Sequence, residues 1–316
     1  MSELARAVEF SQPRERVVAA DRVCVVVVTF NRKHLLQTCL RSLFLQTHPV
    51  DEILVVNNAS TDGTPEMLAQ TFPQVRVLNL SRNTGGAGGF HAGIEWAHKA
   101  GFEWIWVMDD DIQIYPDTLE VMLRYKEISD FIHVRKTGPE GLQVWEGMWD
   151  LSSVSAFRFR EDLSFKHGRE WTSVTYGNFE GALIRRKVVE KIGYPDPRFF
   201  MVGDDTIYGF LASLHTNVIY INHVGIERKL PARSTGNRNT YYFRNRNRFL
   251  TVTYLKNAGA AVSGFSFWTY TLRDVIRCLT EILWTRRTGH PFLTIRAVFT
   301  GLRHGVIGRF GPPPWI

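Results

Sequence analysis

Cysteine is scarce in this chain of 316 residues. It has three, Cys24, Cys39 and Cys278, and no two of them form a CxxC pair. The spacing therefore gives no sign of a disulfide framework. Cys24 and Cys39 also fall within apolar patterns, so we expect reduced thiols in the core of a cytoplasmic protein.

Long hydrophobic runs are absent as well. No stretch approaches the roughly 20 apolar residues that a membrane-spanning helix needs, and residues 1–22 lack the apolar region of a signal peptide. With 44% hydrophobic and 22% charged residues the chain is typical of a globular protein. We expect a soluble or peripheral protein with one large domain, alone or with an extension.

Acidic residues are nearly missing from the C-terminal part. Residues 226–316 contain 15 Lys and Arg but only three acids, a balance of +12, whereas the rest of the chain has a balance of −5. Aromatic side chains stand beside these arginines, as in "FSFWTYTLRDVIRCLTEILWTRR". The pattern favours helices that lie on an anionic membrane surface, with plain packing helices as the alternative. No nucleic-acid-binding module is visible, and we expect no nucleic-acid partner.

What the chain does contain is an alternation of apolar runs and amphipathic segments. "VCVVVVTF" (23–30) is typical of a strand buried on both faces, and a helical pattern follows it. Three more such strands predict a doubly wound, mainly parallel α/β sheet with helices on both faces. Ligands bind beyond the carboxyl ends of such strands. We therefore expect four polar clusters to converge there: Thr29 with Asn31, Asn57 to Asp62, Arg82 with Asn83, and Asp109 to Asp111.

The stretch "WIWVMDDDIQIYPD" (104–117) places three aspartates at the end of a core strand. Their like charges repel one another unless a cation lies among them. Carboxylates suit a hard divalent cation, Mg²⁺ or Mn²⁺, which in a nucleotide crevice usually bridges a diphosphate and stabilises it as a leaving group. The alternative is an exposed acidic turn.

Seven motifs in order resemble those of glycosyltransferase family 2, over roughly residues 22–250. They are "VVTFNRKHLLQTCLRSLFLQT", "ILVVNNASTDGT", "RNTGGAGGFHAG", "WVMDDDI", "FEGALIRR", "FFMVGDDTIYG" and "YYFRNRNRF". They look closest to bacterial galactofuranosyltransferases that extend lipid-linked glycans, and rhamnosyltransferases are similar. The resemblance implies a GT-A fold, inverting chemistry and a nucleotide-diphospho sugar donor carrying UDP or dTDP.

The resemblance also implies roles for individual residues. Asp109 and Asp111 match the carboxylates that hold the metal and diphosphate, His223 matches a histidine that completes the metal shell, and Asp110 lies near the ribose or sugar. The remaining nucleotide-sugar contacts are Thr29, Asn31, Asn57, Asp62, Arg82, Asn83, Gly88 and Gly89, with Gly85 and Gly86 in the same glycine-rich segment. Asn57 departs from the family, which usually has aspartate there, and the choice between uridine and thymidine stays open.

For catalysis, "GDDTIYG" aligns with the acidic pair of the family. Asp205 is then the base that deprotonates the acceptor hydroxyl, and Asp204 is the reserve candidate. Adjacent carboxylates raise each other's proton affinity, which suits a base near neutral pH. A helix N-cap is the alternative role for the pair.

Acceptor contacts are the least specific part of the prediction. Trp145, Trp149 and Trp171 line an acceptor groove or pack in the core with equal expectation, and Glu180 of "FEGALIRR" is a further acceptor candidate. We divide the chain into a tail (1–21), a GT-A domain (22–236) and a helical, membrane-proximal extension (237–316).

The sequence thus predicts an inverting, metal-dependent glycosyltransferase. It would transfer galactofuranose from its UDP donor to a lipid-linked glycan in surface-polysaccharide synthesis, at the cytoplasmic face of the plasma membrane. A rhamnosyltransferase using dTDP-rhamnose is the alternative. A nucleotidyltransferase is more distant, because the early Gly-rich, arginine-bearing loop is missing.

Overall fold

The computed structural model describes residues 21–150, 155–158, 165–230, 237–285, 290–313 and 315–316. The strands are β1 (Val23–Thr29), β2 (Glu52–Asn57), β3 (Arg76–Asn79), β4 (Trp104–Asp109), β5 (Ile112–Ile114), β6 (Phe131–Gly138), β7 (Gly141–Gln143), β8 (Gly147–Asp150), β9 (Ser155–Arg158), β10 (Trp171–Ser173), β11 (Ala182–Arg185) and β12 (Val218–Arg228). The α-helices are α1 (Lys33–Leu43), α2 (Thr64–Thr71), α3 (Gly85–Lys99), α4 (Thr118–Leu123), α5 (Arg186–Ile192), α6 (Asp204–Ser213), α7 (Arg238–Asn257), α8 (Gly264–Thr285) and α9 (Pro291–Val306). Lys166–Gly168 and Pro197–Phe199 form short 3₁₀ turns.

The central sheet is mainly parallel. Its strands lie in the order β10, β12, β6, β11, β4, β1, β2, β3, with β5 added to β12 and β7 to β6. β1 runs parallel to both β2 and β4, so that Val28 lies opposite Val56 on one side and Asp109 on the other. β11 is antiparallel to its neighbours β4 and β6. The predicted α/β class and mainly parallel sheet are confirmed.

Helices cover both faces of the sheet, which explains the continuous apolar run of β1. Val25 and Val27 pack with Leu36 and Leu40 of α1 on one face. Val26 packs with α3 on the opposite face. Because successive side chains of a strand point to opposite faces, a strand covered twice has no polar position.

The predicted C-terminal helical extension is also confirmed, and it shares a core with the sheet-bearing part. Phe199 and Ile207 lie in one apolar cluster with Leu250, Leu255 and Phe267 of the extension. Residues 1–20, which are all but the last residue of the predicted tail, and residues 231–236, at the predicted domain boundary, lie outside the described residues.

Two further expectations concern burial and membrane spans. All three cysteines are buried with free thiols, as predicted. No helix in the described ranges combines the length and the apolar character needed to cross a bilayer.

Candidate active site

A cavity of about 660 Å³ opens beyond the carboxyl ends of β1 and β4. Eleven of the sequence-predicted residues line it: Thr29, Asn58, Asn83, Gly85, Gly86, Asp109, Asp110, Asp111, Glu180, Asp204 and Asp205. The structure therefore brings the aspartate triplet and the second acidic pair to one crevice, although they are nearly a hundred residues apart in the chain.

Two arginines lie among the aspartates. Asp110 accepts hydrogen bonds from Thr29 Oγ1 at 2.7 Å and from Arg32 Nη1 at 3.1 Å. Asp111 Oδ2 lies 3.5 Å from Arg32 Nη1 and 3.4 Å from Arg228 Nη2. Arg228 Nε is also 3.2 Å from Glu180 Oε1. Protein cations thus compensate part of the charge at the end of β4.

The compensation is incomplete. Burial raises the pKa of Asp109 well above its usual value, and the charges of Asp111 and Glu180 raise it further. Burial likewise raises the pKa of Glu180 against the opposing charges of Lys136 and Arg228. The nearby arginine and lysine charges therefore do not fully neutralise these buried carboxyl groups. An added cation would favour their ionised forms.

The carboxylate oxygens at the cavity are suitable ligands for a hard divalent cation. Within the described part of the chain, no three His, Cys, Asp or Glu side chains already form a metal-binding group. Two buried carboxylate oxygens at the cavity, Asp111 Oδ1 and Glu180 Oε2, nevertheless have no hydrogen-bond partner. Buried polar atoms are normally paired, and oxygen ligands are those that Mg²⁺ and Mn²⁺ prefer. The residues present therefore fit such an ion.

His223 does not lie with these carboxylates, so the structure does not bring the predicted metal set of Asp109, Asp111 and His223 together. Its Nε2 lies 3.3 Å from Asp117 Oδ1, and it does not line the cavity. A strand advances about 3.3 Å per residue. Arg228 lies five residues further along β12, roughly 16 Å from His223. It is Arg228 that lines the cavity.

The second acidic pair begins helix α6. Gly203, with φ 93°, occupies the N-cap position, and Asp204 and Asp205 form the first turn without a side-chain cap. Burial and the charge of Asp205 raise the pKa of Asp204 to about 8. Burial also raises the pKa of Asp205, against a hydrogen bond of 2.6 Å from the Thr206 amide. A carboxyl group with a raised pKa at a cavity is suited to accept a proton near neutral pH.

The loop before this pair is held from helix α7. Phe200 (φ 63°) and Val202 (φ 71°) both have the left-handed backbone that costs energy for such side chains. Asn247 Nδ2 donates to the carbonyls of Phe199, Met201 and Val202 at 3.0, 2.7 and 2.8 Å. These bonds from the motif "YFRNRN" hold the loop in its strained conformation. We name residues 199–203 the catalytic loop because they directly precede Asp204 and Asp205, the predicted catalytic pair.

Three predicted nucleoside contacts instead connect neighbouring loops. Asn57 Nδ2 donates to Asn79 Oδ1 at 2.8 Å, Asn31 Oδ1 accepts from the Thr61 amide, and Asp62 Oδ2 accepts from the Lys33 amide. None of the three lines the cavity. Asn58, the neighbour of Asn57 in the same predicted cluster, is the residue that faces the crevice. Arg82 is exposed and also lies outside the cavity lining.

The glycine-rich segment allows close approach of helix α3. A Cβ on Gly85 would lie 2.0 Å from the Phe200 carbonyl oxygen, and its φ is 72°. A Cβ on Gly89 would lie 2.5 Å from Val28 of β1, and one on Gly88 would meet Thr84. Gly89 therefore allows α3 to pack on β1, and Gly88 leaves room for the side chain of Thr84 at the start of the same helix. Gly85 and Gly86 line the cavity.

The tryptophans are dispersed. Trp171 lies on edge strand β10 and packs against the core, outside the cavity lining. Trp145 is 6.0 Å from the Arg228 guanidinium, measured to the ring centroid. Trp149 lines a second, smaller cavity. Of the four acceptor candidates, Glu180 is the one that faces the main cavity.

Sequence reasoning missed several residues of the cavity. Arg32, Arg228, Asn239 and Ile316 line it as well. Arg32 follows strand β1 closely, so strand-end position was the signal that could have found it. Arg228, Asn239 and Ile316 come from the C-terminal part, and no local pattern places them at the cavity.

The sequence of residues 24–193 matches the model of the protein family "Glycosyl transferase family 2". The chain belongs to glycosyltransferase family 2. It is 31% identical over 195 residues to galactofuranosyltransferase GlfT1 of Mycolicibacterium smegmatis, a match that covers 58% of this chain and 62% of the relative. It is also 34% identical over 111 residues to an N-acetylglucosaminyl-diphospho-decaprenol L-rhamnosyltransferase of Mycobacterium tuberculosis, covering 33% and 36%.

Membership of the family accounts for the fold. The crystal structure of S. aureus TarS 1-349 in complex with UDP superimposes with a TM-score of 0.55 at 17% identity, covering 84% of this chain and 73% of that one. The similarity supports the GT-A fold. The chain spans about six tenths of the length of the galactofuranosyltransferase it matches.

Proposed function

We propose that this family 2 glycosyltransferase is inverting and cation-dependent, and transfers galactofuranose from UDP-galactofuranose to a lipid-linked glycan in surface-polysaccharide synthesis. One observation carries the proposal: the acidic cluster that ends β4 and the acidic pair that begins α6 line the same cavity. The first cluster suits a donor diphosphate, and the second suits an acceptor hydroxyl.

The donor end is built from opposite charges. Asp109 and Asp111, with Glu180 beside them, would hold a divalent cation, which supplies positive charge to the diphosphate. Arg32 and Arg228 already lie at these carboxylates, and guanidinium groups bind phosphate oxygens well. As the bond from the anomeric carbon to the diphosphate breaks, these charges stabilise the nucleoside diphosphate that leaves.

The acceptor end depends on Asp205. Its carboxylate takes the proton of the acceptor hydroxyl while that oxygen attacks the anomeric carbon from the face opposite the diphosphate. One bond to carbon forms as the other breaks, which inverts the anomeric configuration, and the proton ends on Asp205. Asp204 is buried beside Asp205, and two adjacent buried negative charges are unfavourable. The pair therefore has an increased tendency to accept a proton.

Galactofuranose is the favoured sugar because of the 31% identity to GlfT1. The similarity to a rhamnosyltransferase acting on a diphospho-decaprenol acceptor makes transfer of rhamnose from dTDP-rhamnose the second candidate. Either acceptor would be membrane-bound. The basic, aromatic helices α8 and α9 would then hold the enzyme on the inner face of the plasma membrane.

Asp205→Asn tests the catalytic assignment. The variant should bind UDP as well as wild type does, while transfer falls by about 10²- to 10⁴-fold, the usual contribution of a general base. The measurements are calorimetric titration with UDP and release of UDP from the donor. Asp117→Asn makes the same chemical change outside the cavity and should be neutral. Unchanged turnover of Asp205→Asn would remove this residue from the base role.

A donor panel tests the substrate. UDP-galactofuranose, UDP-galactopyranose, dTDP-rhamnose and UDP-glucose are compared for nucleotide release with Mn²⁺ or with EDTA. We expect release from UDP-galactofuranose, lost in EDTA. Release from dTDP-rhamnose alone would support the second candidate, and release of pyrophosphate from a nucleoside triphosphate would indicate a nucleotidyltransferase instead.

A further inference from the structure

A second cavity lies on the other side of the catalytic loop. It has a volume of about 190 Å³, several times the roughly 30 Å³ that one water takes in the liquid. Val202 lines both cavities, and Gly203 and Thr206, which flank the acidic pair, line the second. A group bound there would lie beside the residues that the proposed mechanism assigns to the acceptor.

The floor of this cavity is cationic. Arg244 and Arg248 of α7 line it together with Asp274 of α8. Arg244 makes two hydrogen bonds to Asp274, which also accepts one from Arg248 Nη2. Arg277 Nη2 also lies 3.4 Å from Asp274 Oδ1. Three guanidinium groups thus share this carboxylate, which cannot offset the charges of both Arg244 and Arg248 at the cavity.

Arg248 is the residue with spare donors. Its side chain is 7% exposed, and its Nε and Nη1 have no hydrogen-bond partner. Its Nη2 is occupied by Asp274 and by Asn245 Oδ1. Buried N–H groups of an arginine are normally paired, and phosphate oxygens match their planar, forked geometry better than neutral acceptors do.

The same helix that closes the cavity also carries exposed aromatic side chains. Phe267 and Tyr270 of α8 line the cavity, while Phe265 and Trp268 are 81% and 54% exposed. A phosphate-bearing head group in the cavity could therefore continue into an apolar chain on the outer surface of α8, as amphipathic interfacial helices allow.

We propose that the cavity formed by Arg244, Arg248 and Trp149 beside the catalytic loop binds the phosphate or diphosphate group of the lipid-linked acceptor. The inference rests on the proposed function and adds to it the means by which the acceptor is recognised. Trp149 provides an indole Nε1 without a hydrogen-bond partner at the same cavity, a further donor for a phosphate oxygen.

The test is calorimetric titration of the full chain with farnesyl diphosphate in saturating UDP and Mn²⁺, which fills the donor site first. Inorganic pyrophosphate and farnesol are titrated in parallel. We expect farnesyl diphosphate to bind and farnesol to bind at least about tenfold more weakly, because the charged group carries recognition. Equal binding of pyrophosphate and farnesyl diphosphate would overturn the assignment to a lipid head group.

Three variants locate the binding. Arg248→Gln should weaken the binding of farnesyl diphosphate by about tenfold or more, because a charge-assisted hydrogen bond is lost. Thr251→Phe fills the cavity from its wall without a change of charge. It should weaken the binding of farnesyl diphosphate to the same extent. Arg273→Gln removes the same charge from an exposed position of α8 that does not line the cavity, and should change the affinity less than twofold.

UDP affinity and donor hydrolysis separate this inference from the proposed function. Both should match wild type in all three variants, which also shows that they fold. If farnesyl diphosphate does not bind in the presence of UDP, or if Arg248→Gln and Thr251→Phe bind it like wild type, the acceptor site is wrong while the glycosyltransferase assignment stands. If UDP does not bind and no donor is hydrolysed, the proposed function itself fails.

Discussion

At the scale of single residues, the cavity is governed by the compensation of buried charge. Three aspartates and Glu180 face Arg32 and Arg228, and the ion pairs between them leave two carboxylate oxygens without partners. Burying a charge without full compensation costs free energy. The native structure accepts that cost at the cavity, which is typical of sites where chemistry takes place.

Asp204 allows this cost to be measured. Its pKa in the folded state is about 8, above the ordinary aspartate value of 3.8, so between these pH values the folded state retains a proton that the unfolded chain releases. The free energy of unfolding should therefore fall as the pH rises through this window. Asp204→Asn places no charge at this buried position, and we expect a melting temperature a few degrees above wild type at pH 8 to 9 and little difference near pH 4.

Thermal unfolding followed by circular dichroism at pH 4, 6 and 8 without added metal provides the measurement. Asp117→Asn, at a carboxyl group that is half exposed, should keep the wild-type dependence on pH. If Asp204→Asn loses stability with rising pH as steeply as wild type, burial of Asp204 is not the cause of the slope.

At the scale of elements, the motif "YFRNRN" on α7 explains the geometry of the catalytic loop. Arg246 is fully buried and donates to the carbonyls of Arg198 and Phe199, and Asn247 donates to three carbonyls of the same segment. These bonds satisfy backbone groups that the strained residues Phe200 and Val202 leave outside regular structure. A helix of the extension therefore positions the acidic pair of the sheet-bearing part.

Asn247→Ala tests this positioning role. Loss of the three bonds should lower the free energy of unfolding by about 1–3 kcal/mol. Because Asp205 follows the loop, turnover should fall by about tenfold or more, while the affinity for UDP changes by less than about threefold. The measurements are chemical unfolding, donor hydrolysis and UDP titration.

Asn245→Ala is the matched control. Asn245 is equally buried on the same helix, but its Nδ2 donates to the Tyr241 carbonyl of α7 itself. It should lose comparable stability and keep its rate of donor hydrolysis. Equal loss of hydrolysis in both variants would show that α7 acts through stability alone.

At the scale of the whole molecule, apolar exposure and positive charge are concentrated on the C-terminal helices. Trp284 and Phe292 are 82% and 85% exposed, and Arg273, Arg296 and Arg303 are exposed near them in the chain. Large exposed apolar side chains in such number mark a surface of interaction. Aromatic rings together with arginines suit an anionic lipid surface.

The double variant Trp284→Ser, Phe292→Ser should bind vesicles with one third anionic phospholipid at least about tenfold more weakly, since burial of each ring contributes roughly 1.5–3 kcal/mol. Co-sedimentation at two salt concentrations measures this. Leu45→Ser replaces an apolar residue of the sheet-bearing part that is 67% exposed, and should have no effect. If the double variant binds the vesicles as strongly as wild type does, this surface is not the membrane contact.

Local sequence determined the parts of this protein that depend on neighbours along the chain. The β-branched run of β1, the amphipathic pattern of α1 and the aspartates that end β4 each follow from residues a few positions apart, because strand and helix periodicity is a local property. The parallel sheet and the meeting of polar clusters at its carboxyl edge follow in turn from the order of these elements.

Tertiary structure alone decided which side chains complete the cavity. Arg228 instead of His223 reaches it, Asn58 instead of Asn57 faces it, and Asn247 holds the catalytic loop from another helix. These outcomes depend on strand registers, on irregularities such as the register shifts of β12, and on contacts between distant segments. Such contacts are set by the packing of the whole chain, and no periodicity of a single segment encodes them.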